Sequence, residues 1–246
     1  MRKTVVTLLL LFVPLLVRAE PRYALLSLLS DRLTIVTRDM ATGSNIDHNH
    51  RDTVAIPGNL LDKNMVLAMD DALRAAGVGS KPVLLFTSDP AIFARQAELL
   101  DASGGTAALL QAVRPVLRGV EATHLVLATK YRHDARLQVP DGYVGSGLLE
   151  GLGFFVDRTY EPRHVGTVAV APGYLSAYAY FKLALLDLAT GQVVREVPVF
   201  ASETTMGAES KSGHPWDAMS PEQKVAAIDH LLKTETPIAM KKLIAP

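Results

Sequence analysis

The densest run of chemically able side chains is Asp47-His48-Asn49-His50-Arg51-Asp52. Imidazole nitrogens and carboxylates are good ligands for zinc and similar divalent metals. On an extended strand His48 and His50 point to the same side, two residues apart, and make half a metal site. The other ligands would have to come from elsewhere, for example His133, Asp134, His164 or His214. One expectation is therefore a metal-dependent hydrolase using the 47–52 Asp/His loop. The plainer expectation is a polar loop whose Asn and Asp side chains bond their own backbone. The string also spells His-Asn-His, but the nuclease motif of that name spreads those residues over a ββα unit.

Gly145-Ser146-Gly147-Leu148-Leu149-Glu150-Gly151-Leu152-Gly153 is the second stretch with chemical promise. Glycine-rich loops cradle phosphates when they lead from a strand into a helix. Here no Lys-Ser or Lys-Thr follows, and the next run, Phe154-Phe155-Val156, reads as a strand. Close packing of backbone in a crowded turn or β-bulge is the alternative account. Covalent catalysis has no visible starting point. Cysteine is absent, which removes thiol nucleophiles, thiolate metal sites and disulfides together. There is no Gly-x-Ser-x-Gly elbow. Ser30-Asp31-Arg32-Leu33 puts Arg32 where a GDSL-type esterase has its serine.

Recognition is better served by aromatics. Tyr178 and Tyr180 share one strand face, and tyrosine offers an apolar ring with a polar tip. Trp216, the only tryptophan, sits in His214-Pro215-Trp216-Asp217 within a polar stretch. An exposed loop tryptophan makes a natural hot spot, and it can equally pin its loop to the domain. Tyr178, Tyr180 and Trp216 are thus the candidate binding residues. The two tyrosines also suit the plain task of covering the sheet against a helix.

The elements that must position these residues alternate between β and α. Runs 23–29 and 33–37 flank Ser30-Asp31-Arg32 and suggest a hairpin. Residues 38–58 read as irregular. Leu61, Met65, Ala68, Met69, Ala72 and Leu73 recur on one helical face, with Asn59 to cap the start and Gly77 to end it. A strand over 82–87 leads into Asp89-Pro90, a cap followed by proline, and helix to about 101. Ser103-Gly104-Gly105 breaks it, helix resumes to 119 with a kink at Pro115, and a strand covers 123–131. Strand-helix-strand order implies parallel pairing. Later, 177–188 and 193–200 form a hairpin about Ala189-Thr190-Gly191-Gln192. A polar loop covers 202–219. Ser220-Pro221-Glu222-Gln223 opens a helix with a capping box, running to about 233, and Pro237 starts or kinks a final segment.

Residues 1–19 have the parts of a cleavable secretory signal: Arg2 and Lys3, an apolar run over 5–17, and Val17-Arg18-Ala19 at the exit. The run is shorter than the ~20 apolar residues a bilayer needs. Cleavage after Ala19 is expected, giving a periplasmic or secreted protein without a membrane span. The whole chain carries 25 basic and 25 acidic residues. Loss of 1–19 removes Arg2, Lys3 and Arg18 and no acid, leaving a mildly acidic chain. Such a charge gives no footprint for nucleic acid.

The motif Asp187-Leu188-Ala189-Thr190-Gly191-Gln192-Val193, its flanking strands and the closing helix resemble periplasmic α/β domains of the TolB amino-terminal and curli-channel (CsgG-like) kind. The resemblance covers residues 120–235 and implies a non-enzymatic envelope adaptor. The 38–58 segment and the glycine stretch have no counterpart in that pattern. The layout is also similar to uncharacterised exported bacterial proteins. The expectation is one α/β (or α+β) domain over 20–246, with a mixed sheet, helices mainly on one face, and a C-terminal β-hairpin followed by a helix. It would bind an envelope protein or a small ligand and need no cofactor.

Overall fold

A computed structural model describes residues 20–39, 47–139, 142–160, 173–207, 210 and 212–245. The expected signal segment lies outside them. In chain order the elements are β1 (Tyr23–Ser27), β2 (Arg32–Thr37), β3 (His50–Ala55), α1 (Leu60–Ala75), β4 (Val83–Leu85), α2 (Pro90–Leu99) and α3 (Gly105–Val113). Then come β5 (His124–Lys130), β6 (Arg132–Asp134), β7 (Leu137–Val139), β8 (Gly142–Val144), β9 (Leu148–Asp157), β10 (Tyr174–Asp187), β11 (Val193–Met206) and α4 (Pro221–Leu243). Nine strands form one mixed sheet, and β7 and β8 form a separate small hairpin.

The sheet is built around the fourteen-residue strand β10. One of its edges pairs with β11 along nearly its whole length. The other edge is shared. Residues 174–180 pair with β9, and residues 181–187 pair with β5. Two half-sheets therefore lie end to end along β10. One half is β4-β1-β5, joined by parallel pairing. The other is β3-β2-β9, with β2 parallel to β9 and β3 antiparallel to β2. β5 stops at Lys130 where β9 begins its pairing at Gly151. That meeting line is a seam across the sheet.

Side chains of β10 alternate between faces, as the two-residue period of a strand requires. Leu175, Ala177, Ala179, Phe181, Leu183 and Leu185 join the core beneath α1 and α4, with Met65, Met69, Ile228 and Leu232 from those helices. On the other face, the shorter α2 and α3 cover only the β4-β1-β5 half, through Ile92, Phe93, Leu109 and Val113. Over the β3-β2-β9 half, the same face holds Val36, Phe155, Tyr174, Tyr178 and Tyr180 clustered with Leu137 of the small hairpin. Between these two covers the seam stays open.

The expected hairpin of the first two strands is not formed. β1 and β2 run in the same direction, one in each half-sheet, and never pair. The polar break between them is a crossing, held by a buried carboxylate. Asp62, in the first turn of α1, accepts from Ser27 Oγ (2.5 Å), Leu29 N (2.8 Å) and Ser30 Oγ (2.6 Å). The segment expected to be irregular contains β3, an edge strand exposed along its length. With one partner and no buried face, it has no reason to alternate apolar and polar residues. β11 likewise continues to Met206, into the expected loop.

Two of the helix starts form as expected. Asp89 caps α2 through its side chain, and the Ser220–Gln223 capping box opens α4. Asn59 stands at the start of α1 in the left-handed region, but its amide donates to Thr87 O and Ser88 Oγ instead of capping. α3 ends at Val113, before Pro115, and α4 runs unbroken through Pro237. The 189–192 hairpin turn is present, with Gly191 at φ 73°.

Candidate functional site

The seam opens into a cleft of about 440 Å³. Its position follows from topology. β4 lies on one side of β1 and β5 on the other, so the chain reverses its winding direction at β1. In open α/β sheets the crevice beyond the carboxyl ends of strands at such a point is the favoured ligand site. Here the β1–β2 link, the end of β5 and the start of β9 converge there.

Charges of both signs line the cleft: Arg32, Arg51, Lys130 and Arg132 against Asp31, Asp47 and Glu150. Each cation has an anionic partner. Lys130 pairs with Asp31, which also receives Arg32 Nε at 2.7 Å. Arg132 holds Glu150 at 2.7 Å and also pairs with Asp101. Arg51 pairs with Asp47 and donates to Leu148 O at 2.9 Å. Partial burial pushes the Asp47 carboxyl up, but the Leu148 and Asn49 amides and Arg51 outweigh it, and the net displacement is below the usual range. Gln96 of α2 fixes the far wall. Its amide donates to Leu28 O (2.9 Å), and its oxygen accepts from Lys130 N (3.0 Å).

The glycine stretch serves this cleft through its packing. A Cβ on Gly147 would lie 2.4 Å from the Asp47 carboxylate, and one on Gly151 would lie 3.1 Å from the Lys130 stem. One on Gly153 would meet Thr34 O at 1.9 Å and Tyr178 Oη at 2.6 Å. The glycines thus make room for three of the cleft's side chains. Gly151, at φ 65°, also marks where β9 leaves β10 to pair with β6. This is the close-packing account of the stretch, most of which lies within β9.

Tyr178 and Tyr180 share a face as expected, but both are fully buried, so the contact surface expected there is internal. Their rings pack with Leu137 of β7 and Val144 of β8 instead of a helix. Tyr178 Oη donates to Thr34 O at 3.3 Å, and its ring forms part of the cleft floor. Tyr180 Oη accepts from Arg136 N at 2.8 Å. Burial pushes both phenols up. Trp216 is half-buried and packs edge-on to Phe154 with ring centres 5.7 Å apart. The Lys224 ammonium lies 4.2 Å above its ring. This tryptophan pins its loop to the domain.

His50 lies on the exposed edge strand and pairs with Asp52 at 3.1 Å, while His48 precedes the strand and is exposed. His133 packs against Phe200 at 4.4 Å, and His214 accepts from Trp216 N. His164 lies outside the described residues. Among the described residues, no group of three or more His, Asp or Glu converges to hold a metal. Asp47 and Arg51 act instead in the cleft wall. Asp31 and Arg32 read in sequence only as a turn between strands, and Lys130 and Arg132 carried no signal of their own. The glycines opposite them were the only indirect sign.

No family model matches the chain, and no curated protein matches it. Among solved structures it is similar to protein XCC0632 from Xanthomonas campestris, of family model DUF330. Identity is 12%, over 92% of this chain and 85% of that one, with a TM-score of 0.35. It is also similar to a PelC dodecamer protein from Paraburkholderia phytofirmans, at 10% identity over 89% and 88%, TM-score 0.30. A third is a lipoprotein candidate from Caulobacter crescentus, at 10% over 63% and 99%, TM-score 0.25. None of the three carries a TolB or curli-channel name, and at these scores they assign neither a family nor a function.

Proposed function

We propose that the chain is a non-enzymatic binding module of the cell envelope that takes a small polar ligand in the seam cleft. One observation carries this reading. A cavity of about 440 Å³ lies at the carboxyl ends of parallel strands, lined by donors and acceptors that are already fixed by one another. Ligand sites are commonly concave, preformed and of 300–1,000 Å³. Side chains locked before binding lose little entropy when a ligand arrives. A binding role is supported by the pairing of the lining charges, since Lys130, Arg132 and Arg51 are each engaged by a carboxylate of the wall. Export is supported by the pattern of residues 1–19. None of the described helices is long and apolar enough to cross a membrane.

Thermal unfolding of the purified protein in the presence of amino acids, sugars, nucleotides and dicarboxylates tests the reading. A ligand at a hundred times its Kd adds about 2.7 kcal/mol of stability, a rise of several degrees in Tm. Arg132→Gln, which removes the guanidinium from the cleft wall, should abolish that rise. A panel with no effect, or a rise that persists in Arg132→Gln, would sink the proposal.

A further inference from the structure

At the opposite end of β5 from the seam lies a second groove, of about 470 Å³. It is set between the C-terminal turn of α3 and the turn of the β10–β11 hairpin. Leu110, Leu117, Val120 and Leu188 form its apolar walls, and Arg114 and Arg118 line it as well. The two arginines are exposed and stand four residues apart. Every cation of the seam is ion-paired, but among the described residues Arg114 and Arg118 are not. The acids nearest in sequence are occupied. Glu121 pairs with Arg22 at 3.2 Å, and Asp187 accepts from the Ala189 and Thr190 amides. An apolar trough with two exposed guanidinium groups that no described carboxylate pairs with is complementary to a ligand with an apolar tail and one anionic head.

We propose that this groove binds a single-chain anionic amphiphile. The alkyl chain lies along Leu110, Leu117, Val120 and Leu188, and the carboxylate is met by Arg114 and Arg118. The tail supplies affinity by leaving water, and the arginines select the charge. The site is separate from the seam cleft and does not depend on a ligand there.

Calorimetric titration of the purified full-length protein with octanoate, decanoate and dodecanoate, each kept below its micelle concentration, tests this. One saturable site per chain is expected. Each added methylene should tighten binding about fourfold until the groove is filled. Arg114→Gln with Arg118→Gln should weaken dodecanoate at least tenfold, with thermal unfolding unchanged because both side chains are exposed. Leu117→Gln, a second variant, should flatten the dependence on chain length. Absence of saturable binding would overturn the proposal. So would affinity independent of chain length, or equal affinity in the double arginine variant. Sedimentation with phosphatidylglycerol vesicles, in the absence of any saturable dodecanoate binding, would replace the groove by a membrane-contacting surface.

Discussion

The Lys130 ammonium at the end of β5 is ion-paired to the Asp31 carboxylate in the β1–β2 link, and the two side chains are 10% and 15% exposed. The pair ties the carboxyl end of one half-sheet to the entry of the other. Removing one partner of a buried pair leaves a charge without compensation, at a cost of about 3 kcal/mol. Lys130→Met should therefore lower the urea midpoint by a corresponding amount, because Arg32, half-exposed, is a weaker counter-charge for Asp31. Adding Asp31→Leu should recover much of the loss. Equal stability of Lys130→Met and the parent would show that the pair does not hold the seam.

Gly153 faces Thr34 O and Tyr178 Oη so closely that a methyl group must displace backbone. Gly153→Ala should cost about 3 kcal/mol, the upper range for overpacking a core. Gly104→Ala is the useful contrast. Unlike Gly153 it has a positive φ, 73°, and nothing lies within 4 Å of its new methyl, so only backbone strain is felt. Chemical denaturation of both variants measures the difference between crowding and strain.

Tyr178 separates a covered residue from a contact residue. Tyr178→Phe loses one hydrogen bond to Thr34 O and should cost about 1 kcal/mol. Tyr178→Ala opens a cavity against Val36, Phe155 and Tyr180 and should cost 3 kcal/mol or more, by analogy with about 3–5 for aromatic truncations. A Tyr178→Ala protein as stable as the parent would put the ring outside the core.

Asp157 makes the stability depend on pH. Burial pushes its carboxyl up, but Arg38 Nη1 at 2.6 Å and the Thr159 amide and hydroxyl outweigh that, and its pKa falls below the ordinary 3.8. A depressed folded pKa contributes stability that is complete above the unfolded value and lost as pH falls through the folded one. Asp157→Asn should therefore be less stable than the parent at pH 7, by about 2 kcal/mol. The gap should begin to close as pH falls below the unfolded value and vanish only below the depressed folded one. Urea midpoints at pH 7, 5, 4 and 3 check the sign, and a gap that widens with acid would refute it.

Local signals were legible where a residue answers only to its neighbours in sequence. The Asp89 cap, the Ser220–Gln223 capping box and the Gly191 turn are of this kind. So is the alternation of β10, which correctly put Tyr178 and Tyr180 on one face. What covers that face was not legible, because the cover comes from Leu137 in a distant hairpin. The β1–β2 break looked like a turn because Ser30 and Asp31 are turn residues. Its true anchor, Asp62, lies thirty-two residues from Ser30 and reads in sequence as an ordinary polar position on a helix. The cleft was hidden for the same reason. Lys130 and Asp31 are ninety-nine residues apart, and nothing local distinguishes them from solvated charges.

The length of β10 has a temporal consequence. The two half-sheets are aligned end to end by pairing with residues 174–187, and that strand is backed by β11 over residues 193–206. Both strands belong to the last third of the chain. A ribosome releases the amino-terminal residues first, at about 5–20 residues per second. β1 and β2 therefore wait, already synthesised, for partners that emerge later, and loop closure over such separations slows folding. Assembly of the full sheet is in this sense a late event in the life of the polypeptide.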